Sequence, residues 1–490
     1  MAFKLVLGYL GMFGDSIMNG TVGFSDKADV VKFVSEKRIK IVNLCHVSEE
    51  GKLKTLSFSA SDKGRVEEVL EFGERVDGSS LFSFIEPGKS DIFIKPHFSR
   101  AFEHPFSRLP TLNVMCDYLD ENGKPLDVAP KNVLTRAEEK LHSSSGITLK
   151  ALAELEFYVI AKQDGTWSFP GAPDRNYHDS VPFTKFEDLR NDVLAILASL
   201  NIPTKYGHSE VGRILGKDAL LMEQQEIEFL PQGLADMAET IAITKWVIRN
   251  VAVRYGVSVS FIPKISLGHA GTGMHVHLCG LRNGRNVVAR PDGGLSEDAL
   301  MMIGGILKFA SSLAAFGNPT PVSYLRFIAR KESPMNICWS VRNRLALIRI
   351  PLWWSLEKKD KESEVCRETF EYRAPDSFAN AYLLFAGLAV AAGYGLKHGK
   401  RMLETAEDLH IKGASDKGRK LKTLPRSCFE AAENLARDRQ LYETDCVFPK
   451  GLIEKAIERL KGYKDKGMWD DLANKQAELE AAIAQYLHYG

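Results

Sequence analysis

Four short stretches of this chain place charged or imidazole groups at every second position: Glu154-Leu155-Glu156, Glu226-Ile227-Glu228, His275-Val276-His277 and Glu371-Tyr372-Arg373. Side chains two residues apart on a β-strand point to the same face, so each pair projects polar groups one way while apolar neighbours pack the other. In Ala151–Ile160 the separation is clean, with Leu155, Phe157 and Val159 opposite Glu154 and Glu156. Two carboxylates so placed stand about 6.5–7 Å apart at their backbones. They raise each other's pKa unless a cation intervenes. A single pair also fits an edge strand with a solvated acidic face. Four in one chain describe a charged funnel built on a sheet, and a divalent metal would resolve its repulsion.

Length and composition set the frame for that funnel. The 490 residues are enough for two or more domains of ordinary size. With 64 basic and 63 acidic residues the formal net charge is +1, so no global field recruits nucleic acid or an anionic membrane. The seven cysteines are scattered, odd in number and free of C-x-x-C spacing, a pattern that predicts reduced thiols in a cytoplasmic protein. The N-terminus carries a brief apolar run without a convincing cleavage site. Ala381 to Leu396 is interrupted by Tyr and Gly and falls short of the roughly 20 residues that span a bilayer. A soluble protein is expected.

Hydrophobic periodicity predicts a helix over about Lys27 to Lys37, a hairpin of strands near Ile39–Leu44 and Leu53–Phe58, a helix near Val66–Phe72 and a strand at Asp91–Pro96. These pieces form a small α+β domain, 27–108, behind an N-terminal extension, 1–26. The rest, 109–490, reads as one large domain that opens with a helix from Pro130 and ends in amphipathic helices at Leu452–Tyr463 and Trp469–Tyr486.

Eight segments, in order, resemble the glutamine synthetase family: Val76-Asp-Gly-Ser-Ser80, Glu154-Leu-Glu-Phe157, His208-Ser-Glu-Val211, Gln224-Gln-Glu-Ile227, Lys264-Ile-Ser-Leu-Gly-His-Ala-Gly-Thr-Gly-Met-His-Val-His277, Asn318-Pro-Thr-Pro-Val-Ser-Tyr-Leu-Arg326, Arg342-Asn-Arg-Leu-Ala-Leu-Ile-Arg-Ile-Pro351 and Phe370-Glu-Tyr-Arg-Ala-Pro-Asp376. The resemblance implies an α+β fold. It consists of a small β-grasp-like N-terminal domain and a large catalytic domain on a curved antiparallel sheet with flanking helices and a helical C-terminal region. It also implies a homo-oligomer, usually a dodecamer of two stacked rings, with active sites between neighbouring subunits.

Carried over by position, the resemblance implies one metal site of Glu156, Glu210 and Glu226 and another of Glu154, His275 and Glu371. Independently of the family, carboxylates with one imidazole and no thiolate suit hard Mg²⁺ or Mn²⁺. The same resemblance gives His277, Arg344 and Arg349 to ATP, Gly271, Arg326 and Arg373 to glutamate, and Asp77 with Ser80 to an ammonium site supplied by the adjacent subunit. Glu332 matches the flap that closes over the intermediate. Arg342 and Arg344 are spaced to share a strand face, with Arg349 on the other, and guanidinium forks match phosphate and carboxylate oxygens. The implied reaction moves the γ-phosphoryl of ATP onto the side-chain carboxylate of glutamate, and ammonia then attacks the acyl phosphate.

Departures from the pattern bear on the substrate. Ala270 precedes Gly271 where the family usually has Asn, Ser209 follows His208 where a second His is usual, and Cys279 stands where serine is common. Gly212–Met222 lengthens the gap between Glu210 and Glu226, and an insertion at about Ser355–Glu364 separates the arginines from Glu371 and brings Arg367 into consideration. Ammonia is the expected acceptor; the alternatives are an organic amine or polyamine as acceptor and, further off, a non-catalytic relative that keeps the oligomeric assembly.

Overall fold

In the computed structural model, the described residues are 24–162, 169, 171–216, 219–290, 293–328, 333–353, 366–413 and 419–489. Nearly all of the N-terminal extension, the insertion at 355–364 and Glu332 lie outside them.

The N-terminal unit is a five-stranded sheet, β1 (Ile41–Val47), β2 (Leu53–Ser59), β3 (Glu74–Asp77), β4 (Asp91–Glu103) and β5 (Thr111–Leu119), in the order β2-β1-β5-β4-β3. All pairs are antiparallel except β1 with β5. Helices Lys27–Glu36 and Lys63–Phe72 bury Val30, Val31, Val34, Val66, Val69 and Leu70 against it. Each begins at an Asp, Asp26 or Asp62, whose carboxylate accepts free backbone N–H groups of the first turn. This is the expected β-grasp arrangement. Strand β5 lies in the middle of the sheet, so the small unit runs past residue 108, where the sequence reading ended it. The sequence pattern of 109–119 is that of any buried strand, and only its parallel pairing with β1 assigns it.

The large sheet has ten strands. Its path is β13 (Trp339–Val341), β14 (Ile348–Ile350), β15 (Phe370–Tyr372), β11 (Met274–Arg282), β6 (Ile147–Lys162), β8 (Leu220–Phe229) and β7 (Thr204–Leu215). Three short strands attach to it: β9 (Gln232–Gly233) and β10 (Ser258–Ser260) on β6, and β12 (Arg285–Asn286) on β11. Every pair is antiparallel except β13 with β14, as expected for the curled catalytic sheet. Leu155, Phe157 and Val159 on β6 are fully buried. Helices cover that side, with Ala381–Lys397 packed on Pro130–Ser145, Leu234–Arg254 and Glu297–Lys308. Two of these helices touch backbone to backbone, because a Cβ at Gly305 would fall 2.2 Å from the Ala391 carbonyl oxygen and one at Gly395 2.0 Å from that of Met301. Only glycine permits that approach.

Three local expectations change. The predicted helix Trp469–Tyr486 is two helices, Met468–Leu472 and Gln476–Ala484, broken at a turn holding Asn474, a residue that competes with helical hydrogen bonding. The arginine segment is not one strand. Arg342 has a left-handed backbone, φ 61°, and opens a turn between β13 and β14, so Arg342 and Arg344 share no strand face and Leu345 is largely exposed. Among the described residues no single helix is long and apolar enough to cross a membrane. The bent pair Glu297–Lys308 and Ala310–Gly317 reaches that length and composition together, and most of both helices is buried in the core.

The described part of the lengthening at Gly212–Met222, which excludes 217–218, is the extended end of the β7–β8 hairpin. Its anchor is Arg213, 1% exposed, which donates to Glu223 at 2.9 Å, Asp179 at 3.1 Å, the Phe183 carbonyl at 2.9 Å and Asn176. Removing one partner of such a buried pair leaves the other charge uncompensated, so Arg213→Ala is expected to cost ~3–5 kcal/mol. The double replacement Arg213→Met with Glu223→Met should cost clearly less. Chemical denaturation midpoints of the two variants check the difference.

Candidate active site

The sheet registers bring the alternating pairs onto one surface. His275 on β11 stands opposite Glu154 on β6, which stands opposite Glu228 on β8. One step along, Glu156 faces Glu226, which faces His208 on β7. On the other flank His277 faces Glu371 on β15, and Glu371 faces Arg349 on β14. Directly opposed residues of antiparallel strands share a face. All of these groups except Glu371, which is fully buried in contact with Arg349 and Arg373, therefore line one cavity of about 210 Å³, joined there by Lys205, Tyr206, Glu210, Gln224, Gly271, Arg326, Ser333, Arg344, Arg373 and Tyr177.

Glu154 is the hub. Its carboxylate takes His275 Nδ1 at 2.8 Å and His277 Nε2 at 2.9 Å. Burial opposes its ionisation, but these two hydrogen bonds outweigh burial and hold its pKa well below the ordinary range. The imidazoles diverge. Burial and then Arg373 push His275 down to about 4, leaving it neutral, as a metal ligand must be. For His277, burial is overcome by the bond to Glu154, and its pKa is raised. Thr369 meets its other nitrogen at 3.0 Å. Glu371, 0% exposed, accepts from Arg349 at 2.8 Å and from Arg373, and lies 3.4 Å from His275 Nδ1. Burial works against its charge too, but His277, Arg373 and His275 together bring its pKa down.

The other flank lacks cations of that kind. Burial, and then Glu154, Glu156 and Glu210, push Glu226 well above the carboxylate range. Burial raises Glu156 to about 7, although Gln224 and the Gly273 N–H each donate to it at 2.8 Å. Donor atoms converge as metal-sized groups in three places: Glu154–His275–Glu371, His208–Glu210–Glu226 and Glu154–Glu228–His277. The first is the expected second ligand set. In place of the other expected set, His208 joins Glu210 and Glu226 while Glu156 is held by Gln224 and Gly273. The third already holds a cation, the Lys205 ammonium 2.6 Å from Glu228. Oxygen-rich donors with neutral or weakly basic imidazole fit Mg²⁺ or Mn²⁺ at the first two groups. The mutual repulsion around Glu226 is the mark of a place where positive charge belongs.

The remaining expected residues divide. Gly271, Arg326, Arg344, Arg349, Arg373 and His277 line the cavity. Arg326 is fixed from behind by donating to the Ala374 carbonyl at 2.9 Å, and Arg344 is tied to the Tyr177 hydroxyl. Arg342 and the exposed Arg367 do not line it. Asp77 and Ser80 stand on the small unit, also outside the cavity of their own chain. There Asp77 accepts from Ser80 Oγ at 2.6 Å and Ser79 Oγ at 2.7 Å, which lowers its pKa. Glu332 lies outside the described residues, and its neighbour Ser333 reaches the cavity.

Sequence reasoning missed Glu228, His208, Gln224, Tyr206, Lys205 and Tyr177 as cavity residues. Gln224-x-Glu226-x-Glu228 and Tyr206-x-His208-x-Glu210 continue the same alternation and were legible in principle. Tyr177 comes from a loop with no periodic signal. The expectation of reduced cysteines is also corrected: Cys279 on β11 and Cys366, just ahead of β15, form a disulfide across a sequence separation of 87, with Cα atoms 6.1 Å apart. No spacing motif announces it, because the pairing of β11 with β15 creates the proximity. The other five cysteines are free.

A β-grasp unit stands beside a curled sheet that gathers carboxylates, imidazoles and arginines around one cavity. Family models for the glutamine synthetase β-grasp domain and the glutamine synthetase catalytic domain match residues 38–121 and 127–466. Similar curated proteins include the glutamine synthetase of Pyrococcus horikoshii, 32% identical over 438 residues, covering 89% of this chain and 90% of that one. The 3-hydroxylaminophenol mutase of Cupriavidus pinatubonensis is 31% identical over 462 residues, with 88% and 94% coverage. Among solved structures, Plasmodium falciparum glutamine synthetase matches with TM-score 0.78 at 20% identity, covering 91% of this chain and 97% of that one. Ligand-free GmaS matches with TM-score 0.72 at 21% identity, with 89% and 97% coverage. The chain belongs to the glutamine synthetase family.

Without metal, the buried Glu156 carboxyl keeps in the fold a proton that the unfolded chain releases above its ordinary pKa of 4.5. That contribution to stability is complete below the ordinary pKa and is lost as pH rises through about 7. Relative to Glu156→Gln, whose amide does not titrate, the melting temperature in chelator is therefore expected to fall between about pH 5 and about pH 8, because the opposite titration of His275 is common to both proteins. Stabilisation by Mn²⁺, which competes with those protons, should grow over the same window. Thermal melts with and without Mn²⁺ check this, and a pH-independent metal increment would refute it.

Proposed function

We propose that this chain ligates ammonia to the γ-carboxylate of glutamate at the expense of ATP, through a γ-glutamyl phosphate, giving glutamine, ADP and phosphate. The observation that carries this reading is the cavity in which Glu154 and His275, whose donor atoms converge with that of the buried Glu371, stand beside Arg326, Arg344, Arg349 and Arg373. Carboxylates and imidazoles for a divalent ion lie beside guanidinium forks for phosphate and carboxylate oxygens. Metal held by Glu154, His275 and Glu371, and by Glu210 and Glu226 with Glu156 or His208, would neutralise phosphate charge during transfer.

In this reading Arg344 and Arg349 hold the transferring phosphoryl group, with His277 beside the nucleotide, and Arg326 and Arg373 hold glutamate against the Gly271 backbone. Ammonium must lose a proton before it attacks. Asp77 with Ser80, from a neighbouring subunit, and Glu332 supply the anionic pocket for that step, and Glu332 closes the site against water. The assembly that follows is a cytoplasmic homo-oligomer, a dodecamer, with sites between subunits.

One observation favours the second reading, an organic amine or polyamine as acceptor. The rings of Tyr177 and Tyr206, each about half exposed, stand in the cavity wall beside Glu210, Glu226 and Glu228. An aromatic and anionic wall suits an alkylammonium as well as ammonium.

Phosphate release with ATP, Mg²⁺, glutamate and ammonium is the direct assay. Release only when an alkylamine replaces ammonium would select the second reading, and no glutamate-dependent release with any amine would reject both. Arg344→Ala is expected to lower kcat by ~10²–10³. Asp77→Ala and Arg344→Ala homo-oligomers, each strongly impaired, should show activity well above that of either parent when dissociated and reassembled together, because some interfaces then unite an intact Asp77 with an intact Arg344. Absence of complementation would rule out shared sites.

A further inference from the structure

A second, larger cleft of about 680 Å³ lies beside the arginine turn, within the ~300–1,000 Å³ typical of small-molecule sites. It belongs to the other face of β14. Arg349 enters the central cavity while its neighbour Ile350 lines the cleft, as alternation along a strand requires. Its lining joins aromatic and cationic groups. Trp339, nearly buried, stacks on His410 with ring centroids 3.8 Å apart and planes 8° from parallel. Trp353 stands nearby, and Arg290, Arg342 and Lys412 bring three cations against Glu297 and Glu407. Glu297 occupies the first turn of the helix Glu297–Lys308, where the helix N-terminus already balances a negative charge.

Arg342 is the telling residue. Its left-handed φ of 61° lies in a region unfavourable for a non-glycine residue, and such residues concentrate at functional sites. The consequence of that turn is a division of labour, since Arg344 and Arg349 serve the central cavity while Arg342 lines the cleft. A guanidinium offers paired donors to a carboxylate or phosphate, and the half-buried Trp353 and His410 rings offer apolar surface to a planar group, while Trp339 is buried against His410.

We propose that this cleft binds a flat aromatic or heteroaromatic ring carrying an anionic group, and that the bound ligand adjusts the central cavity. The link is short. The Trp353 indole N–H donates to the Thr369 carbonyl at 3.1 Å, and the Thr369 hydroxyl meets His277 Nδ1 at 3.0 Å. β14 also carries the Arg349 that holds Glu371. Two groups coupled in this way change each other's affinity reciprocally.

The ring and anion come from an aromatic carboxylate or from a nucleoside monophosphate, and two probes separate these sources. The full-length protein is titrated by calorimetry with indole-3-acetate and, separately, with AMP. Each titration is run with and without a saturating non-hydrolysable ATP analogue and Mg²⁺. One probe is expected to saturate one site per chain below about 1 mM in both conditions. Arg342→Ala should weaken it about tenfold with the melting temperature retained, and the occupied cleft should change the Mn²⁺ affinity of the central cavity by about threefold. A probe displaced by the ATP analogue belongs to the central cavity and overturns the proposal. So does failure of both probes to bind, binding insensitive to Arg342→Ala and to Leu352→Glu, or Mn²⁺ affinity unchanged by the bound probe.

Discussion

The structure is organised around the crowding of carboxylates on three strands of one sheet, β6, β8 and β15, with β11 between β6 and β15. Glu154 and Glu156 on β6 face Glu228 and Glu226 on β8, and Glu371 approaches from the other side through β11. All five are at least largely buried. A cluster of anions shielded from water is unstable on its own, and the groups around it are arranged to offset its charge. On one flank the answer is built into the protein: His275 and His277 bond to Glu154, and Arg349 and Arg373 to Glu371. On the other flank it is incomplete. Lys205 meets Glu228, while Glu226 and Glu156 keep protons that a divalent ion would displace.

That asymmetry gives the two flanks different chemistry. The Glu154–His275–Glu371 side is pre-ionised, with a neutral imidazole and anchored carboxylates, so its donor set exists before any ion arrives. On the His208–Glu210–Glu226 side Glu226 gains its negative charge only as its proton leaves, so the affinity there for a cation is tied to pH. Rigidity comes from the opposite face of the same strands. Leu155, Phe157 and Val159 lock β6 into the core, and helices touching at Gly305 and Gly395 close the packing behind it. A site of this precision on strands rather than loops is held by the same burial that stabilises the domain.

Much of this was legible in the chain because a strand has period two. Glu154-x-Glu156, His275-x-His277 and Glu371-x-Arg373 each state a shared face, and their apolar partners state which face is buried. The alternation also ran through Gln224, Glu226 and Glu228, yet Glu228 carried no expected role, since its importance comes from lying opposite Glu154. Arg342 failed for a related reason. The spacing of Arg342 and Arg344 fits a strand, but a left-handed residue starts a turn and sends the two side chains to different cavities.

The sequence by itself determined the composition of the site: which residues alternate, that the donors are oxygen and imidazole, and that arginines accompany them. It determined the small α+β unit and the helical C-terminal region as well, because hydrophobic periodicity is a local property. Only the tertiary structure decided partnership. Register set His275 against Glu154 rather than Glu156, put β5 in the middle of the small sheet, paired Cys279 with Cys366 and brought Tyr177 in from a loop. Those outcomes depend on contacts between residues tens to hundreds of positions apart, where the free energy of burying a whole face outweighs any local preference.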